Sequence, residues 1–374
     1  MKIKREKILI IYVEPTTYIN ALVKTMAKED KYELDIYYLS FNKSQAWYSS
    51  SKKIKLLPNN IFKYLIFLIY KFIKNNYKLL HLAGWGEFKL IIALIMAKIF
   101  RVPATLESDT PYKEKNISDL KSIKRALIYP IILSLPDFYL PGGSSQKKHL
   151  IKHGISKEKI IKANMTVDIE KIIIYISSLN SKKINTIKSH FKVSPNSKII
   201  LFVGRLEFNK GIDILINTFL DLNKEIEDLI LIIVGEGSLN IDLKTKYNEY
   251  QNIIFPGRLA ENYLLDLYAI AYLFVLPSRF EPWGLVINEA LASSLPVITS
   301  SNVGCNDDLV EEGVNGYIVN TDKKNLLKDK MEIIIKNKYL QKSMAKESLK
   351  KIKKWTIKNE TLNIFTAWDK VLKH

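Results

Sequence analysis

The chain has 374 residues, 47% hydrophobic and 25% charged, and one cysteine, Cys305. That is enough for two globular domains, too apolar for a disordered chain, and incompatible with an internal disulfide. The net charge of +19 is uneven: residues 1–190 carry 33 basic and 15 acidic side chains, residues 191–322 carry 9 and 18, and residues 323–374 carry 15 and 5. A uniform lysine bias would not spare the middle segment, so the basic parts are expected to meet an anionic membrane surface, an anionic acceptor or nucleic acid.

The basic start MKIKREKILIIYV runs straight into a strand-like segment with no small-residue cleavage site, so no signal peptide is expected. The strand Lys7–Val13 is followed by a helix over Thr16–Glu29 and a strand over Glu33–Leu39. A helix Pro58–Lys74, a strand Lys78–Gly84, a helix Glu87–Phe100 and a strand Val102–Ser108 come next. The apolar runs Ile61–Ile73 and Leu90–Phe100 contain lysines and are shorter than the ~20 residues of a membrane span, so a cytoplasmic location is expected. A helix over about Ile117–Ser134, a strand Asp137–Gly143 and a helix Ser145–His153 complete the first half.

Regularity lapses around Asp168–Ser194, where Ser, Pro and Asn suggest a boundary near residue 185. Strands then restart at Lys198–Gly204, Leu229–Gly237, Asn252–Gly257, Tyr272–Pro277, Pro296–Ser300 and Gly316–Val319, with a helix at Gly211–Asn223 and lysine-rich helices after Asp322. Strands separated by helices of 10–15 residues predict parallel sheets covered on both faces, hence an α/β fold of two tandem Rossmann-like lobes. The expected divisions are 1–185, 186–355 and a last helix at 356–374.

Ligands of such sheets bind at the carboxyl ends of the strands. There, FVGRLEFNKGID sets Gly204, Arg205 and Lys210 between a strand and a helix start, where two cations and free amides suit a diphosphate. The bland alternative pairs Arg205 and Lys210 with Glu207 or Asp213. VGEGSL supplies Glu236 and Gly237, and FPGRL supplies Arg258 and Leu259. In RFEPWGLVINEALA, Glu281 lies in a loop, and Gly284, Leu285 and Val286 open a helix with unsatisfied amides. Glu289, set among apolar residues, can accept both hydrogens of a ribose diol or serve as a helix-dipole acid.

Taken together, GRLE, KGID, VGEG, PSRFEPWGLVINEA, LPVITS and LVEEGVNGYIV resemble the group 1 retaining glycosyltransferases of the GT-B fold, nearly continuously over Phe202–Val319. Glu281 and Glu289 match that family's E-x7-E pair. In the first half, HLAGWGEF, PATLESDT and LPGGSSQKKHLIKHGISKEKI resemble members from bacterial cell-surface polysaccharide pathways such as lipopolysaccharide and capsule synthesis. The resemblance implies two lobes facing across a cleft, with the C-terminal helix crossing back to the first. It implies that Arg205 and Lys210 hold the donor diphosphate, Glu281 contacts the donor sugar and Glu289 the ribose. The Gly284–Val286 amides would lie near phosphate, and Arg258 and Leu259 would flank the base.

The first-lobe turn VEPTTY lacks the glycine pair of many relatives, so the acceptor-side candidates are Thr16, Thr17, Tyr18, Trp85, Glu107 and Asp109. No resident cofactor and no metal are expected: Glu107-Ser108-Asp109 and Asn306-Asp307-Asp308 read as loop and cap residues, and His149 and His153 as a solvent-facing helical pair. The expected substrates are a UDP- or GDP-linked sugar and a glycan or lipid-linked acceptor. Lysines and the aromatic helix Pro58–Lys74 suggest peripheral contact with an anionic membrane, against a slightly favoured reading of that helix as buried. No nucleic-acid reading module is recognisable. Other readings are a GT-B sugar-nucleotide epimerase, or a basic nucleic-acid-binding protein.

Overall fold

The computed structural model describes residues 5–41, 54–112, 128–323 and 325–373. The chain divides into two units. The first is Met1–Met165 with Ile357–His374, and the second is Thr166–Thr356.

The first unit is built on a five-stranded sheet of β1 (Lys7–Tyr12), β2 (Glu33–Tyr38), β3 (Leu79–Leu82), β4 (Ala104–Ser108) and β5 (Phe138–Pro141). All neighbouring pairs run parallel in the order β2-β1-β3-β4-β5. Ile8, Leu9, Ile10, Ile11 and Tyr12 are all buried, which is why β1 reads as an unbroken apolar run: a central parallel strand is covered on both faces. Thr16 caps the helix Thr17–Lys28 by accepting the Ile19 amide at 3.3 Å. The expected helix Ile117–Ser134 begins outside the described residues; its end is helical at residues 128–132.

The helix Ile61–Lys74 is capped by Asn60 and buries Tyr64, Leu68 and Phe72. Its opposite face leaves Phe62, Ile66, Ile69, Tyr70 and Ile73 exposed, and the helix Phe88–Ile99 similarly exposes Phe88, Ile95 and Ile99. The slightly favoured expectation of a buried helix therefore holds for one face.

The helix Ile357–Leu372 belongs to the first unit. It buries Ile364, Phe365 and Trp368 in one core with Ile8, Ile10, Tyr32 and Phe138. Lys31 and the Tyr32 hydroxyl both bond Asp369, and the Trp368 indole nitrogen donates to His81 Nδ1 at 3.3 Å.

The second unit carries a six-stranded sheet of β6 (Lys198–Val203), β7 (Leu229–Val234), β8 (Ile253–Gly257), β9 (Leu273–Leu276), β10 (Val297–Ser300) and β11 (Gly316–Val319). It is parallel throughout, in the order β11-β10-β9-β6-β7-β8. The boundary expected near residue 185 falls instead at Thr166, and the supposedly irregular stretch is two helices, Ile169–Ser177 and Ser181–His190. Asp168 and Asn180 cap them. Tyr175 bonds Asp266, and Lys171 bonds Glu261 at 2.6 Å, tying the first of them to the helix Glu261–Ile270. Ser, Asn and Lys in these helices conceal an apolar face that repeats with helical spacing.

Candidate active site

Each sheet order reverses direction once, between β1 and β3 in the first unit and between β6 and β9 in the second. In open α/β sheets, the crevice beyond the strand ends at such a switch point is where ligands bind. In the second unit, the segments leaving β6 and β9 carry Lys210 and Glu281.

After β6 the chain makes a 3-10 turn, Phe208–Lys210, and enters the helix Ile212–Asn223 through Gly211. Gly211 has φ +68°, and a Cβ there would lie 2.1 Å from the Pro277 carbonyl oxygen. Only glycine lets this turn press on the end of β9. The approach is held by Phe280 N donating to Asn209 O at 3.2 Å. Arg279 clamps it from outside: its guanidinium makes a fork to Asp213 at 2.7 and 2.6 Å, donates to Phe208 O at 2.9 Å and stacks on the Phe208 ring at 4.0 Å.

These contacts seat Lys210 Nζ on Glu281 Oε2, with both side chains largely buried. Glu281 is fixed by its backbone: its amide donates to Asn302 O at 3.1 Å, and its carbonyl accepts from Gly304 N at 3.0 Å. The bland pairing of Lys210 with Glu207 or Asp213 is therefore not what forms. Asp213 takes Arg279, and Glu207 accepts from Ser238 N and Oγ at 3.0 and 2.6 Å. Those bonds hold the Glu207 carboxyl below its ordinary range. Arg205 is exposed and has no side-chain hydrogen bond or ion pair among the described residues. Gly204 joins it to β6.

The turn after β7 brings Glu236 and Gly237 alongside. Glu236 O accepts Leu206 N at 2.9 Å, and a Cβ on Gly235, whose φ is +142°, would strike the Gly204 carbonyl at 1.8 Å. Arg258 and Leu259 follow β8 directly, and a Cβ on Gly257 would sit 3.9 Å from Glu236 Oε1.

Gly284, at φ +98°, opens the helix Leu285–Ala292. The amides of Leu285 and Val286 belong to its first turn, where no helical acceptor exists for them. Glu289 stands on its second turn and accepts the Tyr268 hydroxyl at 2.8 Å. Burial pushes its carboxyl up to about 7, the Tyr268 bond opposing the shift. Behind this helix, Trp283 Nε1 donates to Asn288 Oδ1 at 3.1 Å.

In the first unit a cavity of about 160 Å³ opens at the β1/β3 switch point. Among the acceptor-side candidates, Thr16, Tyr18, Glu107 and Asp109 line it. Thr17 is exposed on the first turn of its helix, and Trp85 packs on Tyr129, ring centroids 5.3 Å apart. Nor do His149 and His153 form a solvent-facing pair: His149 is buried, its ring centroid 4.3 Å from that of His153 and 6.4 Å from that of Trp85. Among the described residues, no three His, Cys, Asp or Glu side chains stand together as a metal would require.

Sequence reasoning missed Arg279, Tyr268, Asn288 and Thr166. Arg279 lies inside the motif and has a detectable signal, a cation 66 positions from a helix-start acid. Tyr268, on the helix before β9, has none.

Two parallel-sheet α/β units in tandem, each with one switch point in its strand order, define the GT-B fold class. Residues 183–351 match the family of glycosyl transferases group 1. The chain is 30% identical, over 49% of its length, to an uncharacterized glycosyltransferase of Methanocaldococcus jannaschii, of which it spans only 48%, about half the length. It is 26% identical to an uncharacterized 41.2 kDa protein in the cps region of Klebsiella pneumoniae, over 72% of each chain. Among solved structures, Anabaena HepE in complex with UDP superposes with a TM-score of 0.78 at 16% identity, covering 97% of this chain and 100% of that one.

Proposed function

We propose that the chain is a retaining hexosyltransferase that moves a sugar from a UDP- or GDP-linked donor to a glycan or lipid-linked glycan in cell-surface polysaccharide synthesis. The observation that carries this reading is the largely buried Lys210–Glu281 pair at the β6/β9 switch point, formed by the segment that also carries the exposed cation Arg205 and by the loop that leads into the helix Leu285–Ala292. Breaking the bond from anomeric carbon to phosphate builds positive charge on the sugar and negative charge on the departing diphosphate. Arg205, Lys210 and the first-turn amides of Leu285 and Val286 stabilise that anion, aimed in advance at the charge that develops. These cations serve in place of a divalent metal.

Glu281 is proposed to accept hydroxyls of the donor sugar, Glu289 the ribose diol, and Arg258 and Leu259 to flank the base near Glu236 and Gly237. The acceptor hydroxyl enters on the face the phosphate leaves and gives its proton to a phosphate oxygen, so that configuration is retained without a protein base. Glycosidases that retain configuration use two carboxylates ~5–5.5 Å apart. Here the two acids serve different parts of the donor.

Calorimetry against UDP, GDP, ADP and their common sugars tests the donor site. Binding by none of them, or binding unchanged in Glu289→Ala and Arg205→Ala, overturns it. Incubation with donor alone separates transfer from epimerisation, which needs no acceptor.

A second part of the reading is attachment to the cytoplasmic face of an anionic membrane. It is supported by the exposed stripe Phe62, Ile66, Ile69, Tyr70 and Ile73, interspersed with Lys63 and Lys74, in a half of the chain rich in lysine. Among the described residues no helix is long and apolar enough to cross a membrane. Flotation with anionic vesicles at low and ~0.5 M salt checks attachment: absence of binding at both ends it.

A further inference from the structure

The cavity of the first unit has a chemistry opposite to the charge of the segment around it. Among the described residues its ionisable lining consists of Glu14, Glu107, Asp109 and Glu360 with Tyr12 and Tyr18, and no lysine, arginine or histidine of the described residues lines it. Two hydroxyls lining it, Tyr12 Oη and Ser108 Oγ, are buried with no hydrogen-bond partner among the described residues, on residues 0% and 5% exposed. An orphaned buried hydroxyl costs ~1–3 kcal/mol, and most such groups in folded proteins have partners. Two on one cavity wall point to a ligand that supplies them.

One of the carboxylates is also oriented in advance. His81 Nε2 lies 3.0 Å from Glu107 Oε1 and holds that carboxylate in place. His81 is fixed on its other side, where Nδ1 lies 2.8 Å from Thr105 Oγ1 and 3.3 Å from the Trp368 indole nitrogen. The volume matches a single six-membered ring: ~150 Å³ is known to hold benzene in a protein interior.

We infer that this cavity takes one sugar ring that is neutral or carries an ammonium group, and rejects rings bearing carboxylate or phosphate. The carboxylates accept sugar O–H or N–H groups, and Tyr12 and Ser108 complete the hydrogen bonding of the ring hydroxyls. An anionic substituent would stand among like charges in a confined space. Resting on the transferase reading, the ring is the acceptor's terminal unit, which separates acceptor recognition from the basic character of the first half.

Saturation-transfer NMR on the intact protein, with methyl glucoside, glucosamine, glucuronate and glucose 6-phosphate, tests this. Glucoside and glucosamine are expected to bind at least about tenfold more tightly than the two anions. Tyr12→Phe combined with Ser108→Ala weakens the glucoside about tenfold, and Glu360→Gln narrows the gap to glucuronate. Equal or tighter binding of either anion, no ring binding, or indifference to all three substitutions overturns the inference. Titration of UDP and GDP on the same samples separates the two readings. Nucleotide binding without ring selectivity sinks only the cavity assignment, whereas ring selectivity without nucleotide binding sinks only the donor site.

Discussion

The Asn288 side-chain amide donates to Thr166 Oγ1 at 3.2 Å, while Thr166 Oγ1 donates to the Trp355 carbonyl at 2.7 Å. Thr166 and Trp355 stand at the two ends of the second unit, and Asn288 is one residue from Glu289. A buried polar chain therefore runs from the ends of this unit to the helix that follows Gly284. Asn288→Ala leaves the Trp283 indole N–H and the Thr166 hydroxyl with a lost partner each. A loss of about 2–3 kcal/mol in urea unfolding is expected, at unchanged m-value.

The Lys210–Glu281 pair is buried, so removing one partner strands the other's charge. Lys210→Met is expected to cost about 3 kcal/mol by chemical denaturation, since breaking a buried pair costs ~3–5 kcal/mol. Lys210→Met with Glu281→Gln recovers most of that stability while turnover stays abolished.

Arg205 offers the contrasting case. Exposed and without a side-chain partner among the described residues, it contributes little to folding. Arg205→Ala is expected to shift stability by less than about 0.5 kcal/mol, yet to lower kcat by about 10²-fold, the loss typical for a single transition-state donor. Equal damage to stability and turnover would assign it a structural role instead.

Glu289 gives a pH dependence of known sign. Its folded carboxyl titrates at about 7, above the ordinary ~4.3 of an unfolded glutamate, so its protonated form is favoured on folding. Stability relative to Glu289→Gln therefore falls as pH rises between those values and is level above about 7. A ribose diol that donates two hydrogen bonds favours the carboxylate. Nucleotide affinity should accordingly rise about tenfold from pH 6 to pH 8, with release of a proton on binding near pH 6.5. Calorimetry in buffers of different ionisation enthalpy reads both effects, and Glu289→Gln removes them.

Both sheets were legible in the sequence because their central parallel strands, such as β1, β6 and β9, read as unbroken apolar runs. Lys210 and Glu281 were singled out because each follows such a run. That they would meet was not legible, since it depends on β6 and β9 being neighbours although β7 and β8 lie between them in the chain. The helices Ile169–Ser177 and Ser181–His190 were missed because short helices with polar caps imitate a linker. The His149–His153 pair was misjudged because helical spacing does not reveal which face a neighbour covers. Trp85 and Tyr129 cover His149.

The helix Ile357–Leu372 also sets an order of events during synthesis. All of the second unit's residues are contiguous, and they leave the ribosome before this helix does. The first unit's sheet emerges earlier still, but its core lacks Ile364, Phe365 and Trp368 until translation has run through them. The half of the chain made first is thus the last to finish folding, with apolar surface over Ile8, Ile10 and Phe138 open to chaperones, or to misassociation, in the interval.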